Sequence, residues 1–482
     1  MNDVSAVSPA VNKMRVDWEL AIALMGGTQA MRQAGTTYLP QWPAETPEDY
    51  KSRLNSTFLF GAYKKTIETL SAKPFAKPMT WEDELPPEVA ALLNDVTGEG
   101  VDFHTFAQDV FQEALSKGHC LILVDYPKVE GTLSVAQLKA AGIRPRMIKV
   151  RPEQVLGWRM DGVELSMLRY KECVSEQDPK NKFQDVEVQQ IRVWEKEEWS
   201  VYRQNDKKEW ILYDSGVNTM GKIPVAVLYG GRRLGYLMSE LPLRDLAHTN
   251  VEHWQSSSDQ RSILHIARTP IFAQIGVMPT FDNEGKPASG DVVIGSKFGI
   301  QLPLGADAKF VEHSGAAIGA GRQDLLDIEE RMFRLGADMI SLKTSGPTAT
   351  HEASKESKAT CELQEIAREA EDVFSQAVEL MAAWLQIPLG EEGAEVKLYT
   401  DFALNLGSTQ RETTLFNSAR YGLISNQTYY EELRRSGTIA AEHNWEEEQD
   451  RMLNQMPAGS TGIMDDGTTE QDNNTNAPAS AG

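Results

Sequence analysis

Residues 240–386 constrain this 482-residue chain more than any other stretch. They read as a long helix, a β-rich insert, a second long helix, a polar loop and a third long helix. Pro242 stands where a first helical turn tolerates proline and Pro270 lies just past the other end. The first helix is therefore expected over residues 243–268, about 40 Å at roughly 1.5 Å per residue. Its middle is Gln255-Ser256-Ser257-Ser258-Asp259-Gln260-Arg261, a composition expected of a helix that packs outside a single subunit's core. Residues 269–315 change to short strands, at 271–275, 292–294 and 300–302. These are too few for a core of their own and are expected to pair across subunits. The second helix, 318–340, repeats Leu325, Ile328, Met332, Leu335 and Met339; the third, 361–386, repeats Leu363, Ile366, Ala370, Val373, Ala377, Leu380 and Trp384. Both stripes are near-heptad, which suits ordinary helix packing as well as association between chains.

Ahead of this stretch the pattern is α+β with a mostly antiparallel sheet. Residues 1–10 are expected to be loose. Helical spacing marks 17–31, and Thr46-Pro47-Glu48-Asp49 opens a helix that carries Tyr50, Leu54, Phe58, Tyr63, Ile67 and Leu70 to about Ala72. Shorter helices are expected at 87–96, 102–117 and 134–141. Strands are expected at 118–125, 146–150, 164–171, 186–194, 199–204, 209–213 and 223–229. After Pro388 come a strand at 396–402 and helices at 408–421, 426–435 and 442–456. From Pro457 the chain is Gly, Ser, Thr, Asn and Asp with almost no apolar residue, a composition of disorder.

The formal charge is −22, which argues against a broad basic face that grips nucleic acid. Cys120, Cys173 and Cys361 are far apart with no Cys-x-x-Cys pair, so reduced thiols are expected. The first residues lack a signal-peptide pattern and no run of 18 apolar residues occurs, so no spanning helix is expected. Gly216-x-x-x-x-Gly221-Lys222 approaches a phosphate loop, but Ile223 replaces the magnesium-binding hydroxyl and Pro224 follows; it reads as a turn entering a strand. His248 and His253 are five apart on a helix, which splays them, with no acid to complete a metal triad. No nucleophile–base pair emerges, so no enzyme and no cofactor are expected.

Residues 341–360 stand apart. They are polar throughout and carry Lys343, Thr344, His351, Lys355 and Lys358 beside Glu352 and Glu356, with Gly346-Pro347 as a break. A loop of this length between two long helices is either functional or mobile surface.

The order of elements resembles that of tailed-bacteriophage portal proteins, the head-to-tail connectors of the capsid. The motif Tyr421-Gly422-Leu423-Ile424-Ser425-Asn426-Gln427-Thr428, followed by Glu446-Glu447-Glu448 near Arg451, is similar to the ending of several portals. So are Met25-Gly26-Gly27-Thr28, Tyr38-Leu39-Pro40-Gln41 and Asp245-Leu246-Ala247-His248-Thr249-Asn250. The resemblance covers about residues 15–455 and implies an elongated α+β subunit. Its parts would be a wing (1–239), a stem helix (240–268), a clip (269–317), a second stem helix (318–340), a tunnel loop (341–360), a wing–crown helix (361–388), a returning strand (389–407), a helical crown (408–456) and a tail (457–482). It also implies a homo-oligomeric ring of twelve at one capsid vertex, assembled in the host bacterial cytoplasm and carried in the virion. Double-stranded DNA would pass through it without sequence reading, touched by Lys343, Thr344, His351, Lys355 and Lys358. Partners implied are the terminase large subunit, the major capsid protein and scaffold, and a head–tail adaptor; no membrane is involved. The alternatives are another connector or scaffold ring without a packaging role, and an enzyme whose acid cluster is not visible.

Overall fold

The computed structural model describes residues 3–81, 85–128, 137, 141–267, 271–275, 280–281, 287–288, 307–311, 316–341, 361–390 and 393–400, with 416, 418–420, 425, 427–430, 445, 448–449 and 451. The chain divides into two units, Met1–Leu404 and Asn405–Gly482. It is an α+β protein. Its helices are α1 (Pro9–Met25), α2 (Gly27–Ala34), α3 (Pro47–Ser56), α4 (Ala62–Ala72), α5 (Pro87–Leu92), α6 (Phe103–Lys117), α7 (Arg244–Ala267), α8 (Ala316–Asp338) and α9 (Glu362–Trp384). Its strands are β1 (Thr80–Trp81), β2 (His119–Asp125), β3 (Arg146–Val150), β4 (Val155–Asp161), β5 (Glu164–Asp178), β6 (Asn181–Glu195), β7 (Glu198–Gln204), β8 (Trp210–Val217), β9 (Val225–Tyr229), β10 (Arg233–Gly235), β11 (Met238–Ser239), β12 (Ile271–Ile275), β13 (Thr280–Phe281), β14 (Pro287–Ala288), β15 (Asp307–Val311) and β16 (Val396–Lys397).

Strand β2 explains the layering. It is central in an antiparallel sheet of order β3-β2-β9, and its run Cys120-Leu121-Ile122-Leu123-Val124 is buried throughout. Alternate side chains point to opposite faces. Cys120, Ile122 and Val124 enter a core built with α4, α6 and α9; Leu121 and Leu123 enter a second core with Trp18 of α1 and Val155, Leu168 and Trp194 of the neighbouring sheet. A strand covered on both faces needs a continuous apolar run, not an alternating one.

That neighbouring sheet is a meander, β4-β5-β6-β7-β8. Arg192 of β6 ties it to β2, with nitrogens 3.2 Å from Asp125 Oδ2 and 3.0 Å from Glu172 Oε1. Burial pushes the Asp125 carboxyl up from its ordinary range, opposed by the Arg192 charge.

Helix α6 shows how ends are satisfied. Asp102 accepts a hydrogen bond from Thr105 N at 3.0 Å, which offsets one of the orphan donors of a helix N-terminus. Gly118 ends the helix at φ +94°, and a Cβ there would lie 2.5 Å from Ser239 Oγ and 2.6 Å from Glu240 O; glycine is required on both counts. Trp18 Nε1 donates to Lys117 O at 3.0 Å and Tyr63 Oη to Ser116 O at 2.7 Å, so α1 and α4 cover the last carbonyls of α6.

The stripe expected on α9 is a core stripe. Leu363, Ile366, Ala370, Val373, Ala377 and Leu380 are buried, and so are Phe374, Val378 and Met381. Phe374 meets Phe103 and Phe75 edge-on at 6.0 and 6.3 Å. Trp384 donates to Val124 O at 2.9 Å and stacks on Tyr126.

Several expectations are corrected. Residues 3–10 are not loose: Ser8 N donates to Leu156 O at 2.8 Å, Ser8 caps α1, and Arg169 binds the carbonyls of Val4 and Ala6. The helix expected over 17–31 begins at Pro9 and is broken at Gly26–Gly27, where a Cβ on Gly26 would lie 2.5 Å from Ala30 Cβ. The helix from Pro47 to Ala72 is two helices. Thr57 turns its hydroxyl back on Arg53 O at 2.8 Å, and Leu59 N leaves the ladder to bond Thr28 Oγ1 at 3.1 Å. Strand β4 was not expected, and β5 and β6 run 15 residues each, well past the expected 164–171 and 186–194. The helix at 134–141 lies outside the described residues, Gln137 and Ala141 excepted. Ile271–Ile275 finds its partner inside the chain, in Asp307–Val311, while 292–294 and 300–302 lie outside the described residues. In the second unit, residues 416, 418–420 and 427–430 are helical, and Ser425 Oγ accepts from Thr428 N at 3.0 Å.

Candidate functional site: an antiparallel helix pair and its open end

Helices α7 and α8 form an antiparallel pair. Glu252 bonds Arg331, His253 Nε2 lies 3.2 Å from Glu329 Oε1, and Gln260 Nε2 donates to Ile318 O at 2.9 Å. Gly321 permits the approach: a Cβ there would stand 2.2 Å from Gln260 Oε1. Past the carboxyl end of α7, the antiparallel β12–β15 ribbon spans the connection to α8.

The polar middle of α7 is not left for another subunit, contrary to expectation. Its groups are met by the N-terminal segment of the same chain. Gln255 Nε2 donates to Tyr38 O at 2.9 Å, and Arg261 Nη1 to Ser56 O at 3.3 Å. Ser258, fully buried, accepts from Arg53 Nη1 at 3.2 Å. Arg53 is the centre of this layer. It pairs with Glu45 at 2.6 and 2.8 Å, donates to Pro40 O at 2.8 Å and lies 4.2 Å from the Trp42 ring centroid. Polar side chains can be buried at little cost when each finds a partner, and here backbone carbonyls supply several. Hydrogen bonds from Arg53 hold the Glu45 carboxyl below its ordinary range, against the opposing effect of burial. Burial pushes Asp259 up, and the Arg53 charge pulls it back.

Asn250 has a distinct role. Fully buried on α7, it accepts from Tyr63 N at 3.0 Å and donates to Phe60 O at 2.7 Å. Gly61 gives α4 no capping side chain, so Asn250 caps α4 from a distance of 187 residues along the chain.

At the other end of the pair, the start of α7, the end of α8 and the start of α9 enclose a cleft of about 200 Å³. Asp245, Asp338 and Glu362 line it, with Leu335 and Met339 as its floor; Arg244 is tied to Asp17. Leu363 N donates to Met339 O at 3.1 Å, so the two ends of segment 342–360 are held together. Lys343, Thr344, His351, Lys355 and Lys358 lie outside the described residues. On α8, Ile328, Met332 and Met339 are buried, whereas Leu326 and Phe333, one heptad apart, are 48% and 77% exposed.

Among the described residues no group of His, Cys, Asp or Glu could hold a metal ion, and no helix is long and apolar enough to cross a membrane. Gly216 and Val217 end β8, and residues 218–222 turn toward β9, which fits the reading of this motif as a turn entering a strand.

Sequence reasoning missed Arg53, Glu45 and Asn250. The signal for Asn250 was an amide flanked by apolar turns of one helix; for Arg53 and Glu45 no periodicity points to their partners.

One family model matches the chain, a domain of unknown function (DUF4055), over residues 242–385. Those residues begin at the acidic cleft and end with α9. No curated protein matches. Among solved structures, the chain is similar at 13% identity to a chain of the virion of a native gene transfer agent (GTA) particle, covering 84% of this chain and 97% of that one with a TM-score of 0.38. A chain of the neck of the native GTA particle, computed with C12 symmetry, is 13% identical over 83% of this chain and 96% of that one, TM-score 0.37. The neck of the empty GTA particle, computed with C6 symmetry, gives 13% over 82% and 96%, TM-score 0.37.

Proposed function

We propose that this chain is the subunit of a portal ring at one capsid vertex, through which DNA is packaged and later ejected. The observation that carries this reading is the order and pairing of α7, the β12–β15 ribbon, α8 and α9. An antiparallel helix pair, bridged by a ribbon, leads through a polar segment into a helix anchored in the core. It is the order of stem, clip, stem, tunnel loop and wing–crown helix on which the resemblance rests. In this reading 1–239 is the wing and 408–456 the crown. The ring has twelve copies and acts without catalysis of its own. Terminase and then the adaptor dock at 269–317, while capsid protein and scaffold meet the wing. The acidic cleft at Asp245, Asp338 and Glu362 suits a channel that repels its polyanionic cargo, with rings of Lys343, Lys355 and Lys358 as weak, salt-screened contacts. End-on electron micrographs of the purified full chain test it. A closed ring with an axial hole is the expected image, and a chain that is only monomeric at micromolar concentration overturns the reading.

A further inference from the structure

The meander sheet runs beyond its own core. β5 and β6 pair without a break from Met167↔Glu195 to Gln177↔Asp185. Their neighbours stop sooner, since β4 leaves β5 at Val155↔Tyr170 and β7 leaves β6 at Gln190↔Arg203. Residues 171–189 therefore form a two-stranded arm. Among the described residues no strand pairs with either of its edges, although Gln154 donates to Lys171 O and Arg203 bonds Glu176, and none of its side chains is buried. A ribbon of this kind is marginal in water by itself, and open edges are a hazard that folded chains normally cover. This arm nevertheless ends in Phe183, 87% exposed, with Val186, 40% exposed, behind it.

The opposite side of the same sheet carries a matching edge. β8 is outermost, and its consecutive Ile211, Leu212 and Tyr213 are 50%, 56% and 59% exposed. Consecutive residues face opposite ways, so both faces of this strand present apolar surface. Lys128 covers part of it, bonding Asp214 and Ser215 O, and the ladder is irregular at Val201/Tyr202. Beside the far end lies a groove of about 760 Å³ lined by Glu195, Lys196, Glu197, Glu198 and Val217, with Lys196 already bonded to Glu164. An arm cannot reach its own β8, because β7 lies between them in one sheet. The occupant is a second copy.

We propose that the β5–β6 arm of one copy lies antiparallel along β8 of the next, with its tip in the groove beside Val217. Charge sets the direction. The tip is basic, with Lys180 and Lys182, and Asp185 and Glu187 follow; β8 starts beside Lys207 and Lys208 and ends beside Glu197 and Glu198. With the tip at Val217, antiparallel docking brings Lys180 and Lys182 to Glu197 and Glu198, whereas parallel docking would set them beside Lys207 and Lys208. Burial, then the hydrogen bond and charge of Glu198, push the Glu195 carboxyl up, a crowding that an incoming lysine relieves. Arm and edge are different surfaces, so the contact is head-to-tail and repeats around a ring. The inference rests on the ring reading and assigns it a contact that does not involve α7 or α8.

The test uses the full-length chain, with isotopically heavy and light copies mixed and coupled by a carbodiimide. Expected are hybrid cross-links joining Lys180 or Lys182 of one copy to Glu197 or Glu198 of another. K180E/K182E should weaken self-association about tenfold in mass photometry, and E197K/E198K in the same chain should restore it. Phe183→Ser should weaken it likewise while leaving the melting temperature of the dissociated chain unchanged. Oligomers that form without hybrid cross-links, or that ignore the reversals, overturn the arm contact and leave the ring reading standing. A wild-type chain that stays monomeric overturns both.

Discussion

At the scale of single residues, Arg53 governs the most. It answers Glu45, Ser258 and Pro40 O from inside the fold, and removing it leaves a buried carboxylate without its partner. Arg53→Met should cost about 3–5 kcal/mol in urea unfolding of the chain. Glu45 adds a pH dependence with a definite sign. Its carboxyl is depressed in the fold, so its contribution is complete above the ordinary unfolded value, about pH 4.3, and is lost as pH falls through the folded one. Urea midpoints taken from pH 7 down to 3 should fall less steeply for Glu45→Gln than for the native chain. A second residue-scale test is Asn250→Ala. It strips α4 of its only side-chain cap among the described residues and leaves Tyr63 N without its partner, while Phe60 O keeps Ala62 N, for an expected loss of about 1–3 kcal/mol.

At the scale of elements, the stripes of α9 and α8 enter the same core, but α8 also carries Leu326 and Phe333 outside its stripe, both exposed. Phe374 of α9 touches Phe75 and Phe103 and is fully buried, so Phe374→Ala should cost about 3–5 kcal/mol. Phe333 of α8 is 77% exposed, and Phe333→Ser should change the stability of the isolated subunit by no more than about 0.5 kcal/mol. If α8 lines a subunit interface, as the ring reading has it, the same change should weaken assembly about tenfold in mass photometry. Equal effects of the two substitutions on folding would show that the two helices are buried alike.

At the scale of the whole molecule, the proposed passage of DNA through a chain of net charge −22 would require its positive charge to be confined. Replacing Lys343, Lys355 and Lys358 with glutamate should impair packaging yield or DNA retention while rings still assemble. Much of this architecture was readable beforehand. Strand 146–150, the body of β2, helix α6 and the three long helices are local patterns of period 2 or 3.6, bounded by proline, glycine and capping residues. Such patterns depend on neighbours a few positions away, so they survive without knowledge of the fold. Other features depend on partners far along the chain. The polar centre of α7 looked like a surface awaiting another subunit until Arg53, Tyr38 and Ser56 came to it from some two hundred residues upstream. The break between α3 and α4 is decided by Thr28 and Asn250, and the length of the β5–β6 arm by cross-strand pairing that no alternation marks. Periodicity tells a chain which face of an element is apolar. Only the assembled fold decides what meets each face, because a hydrogen bond or a core contact between distant segments has no spacing to announce it.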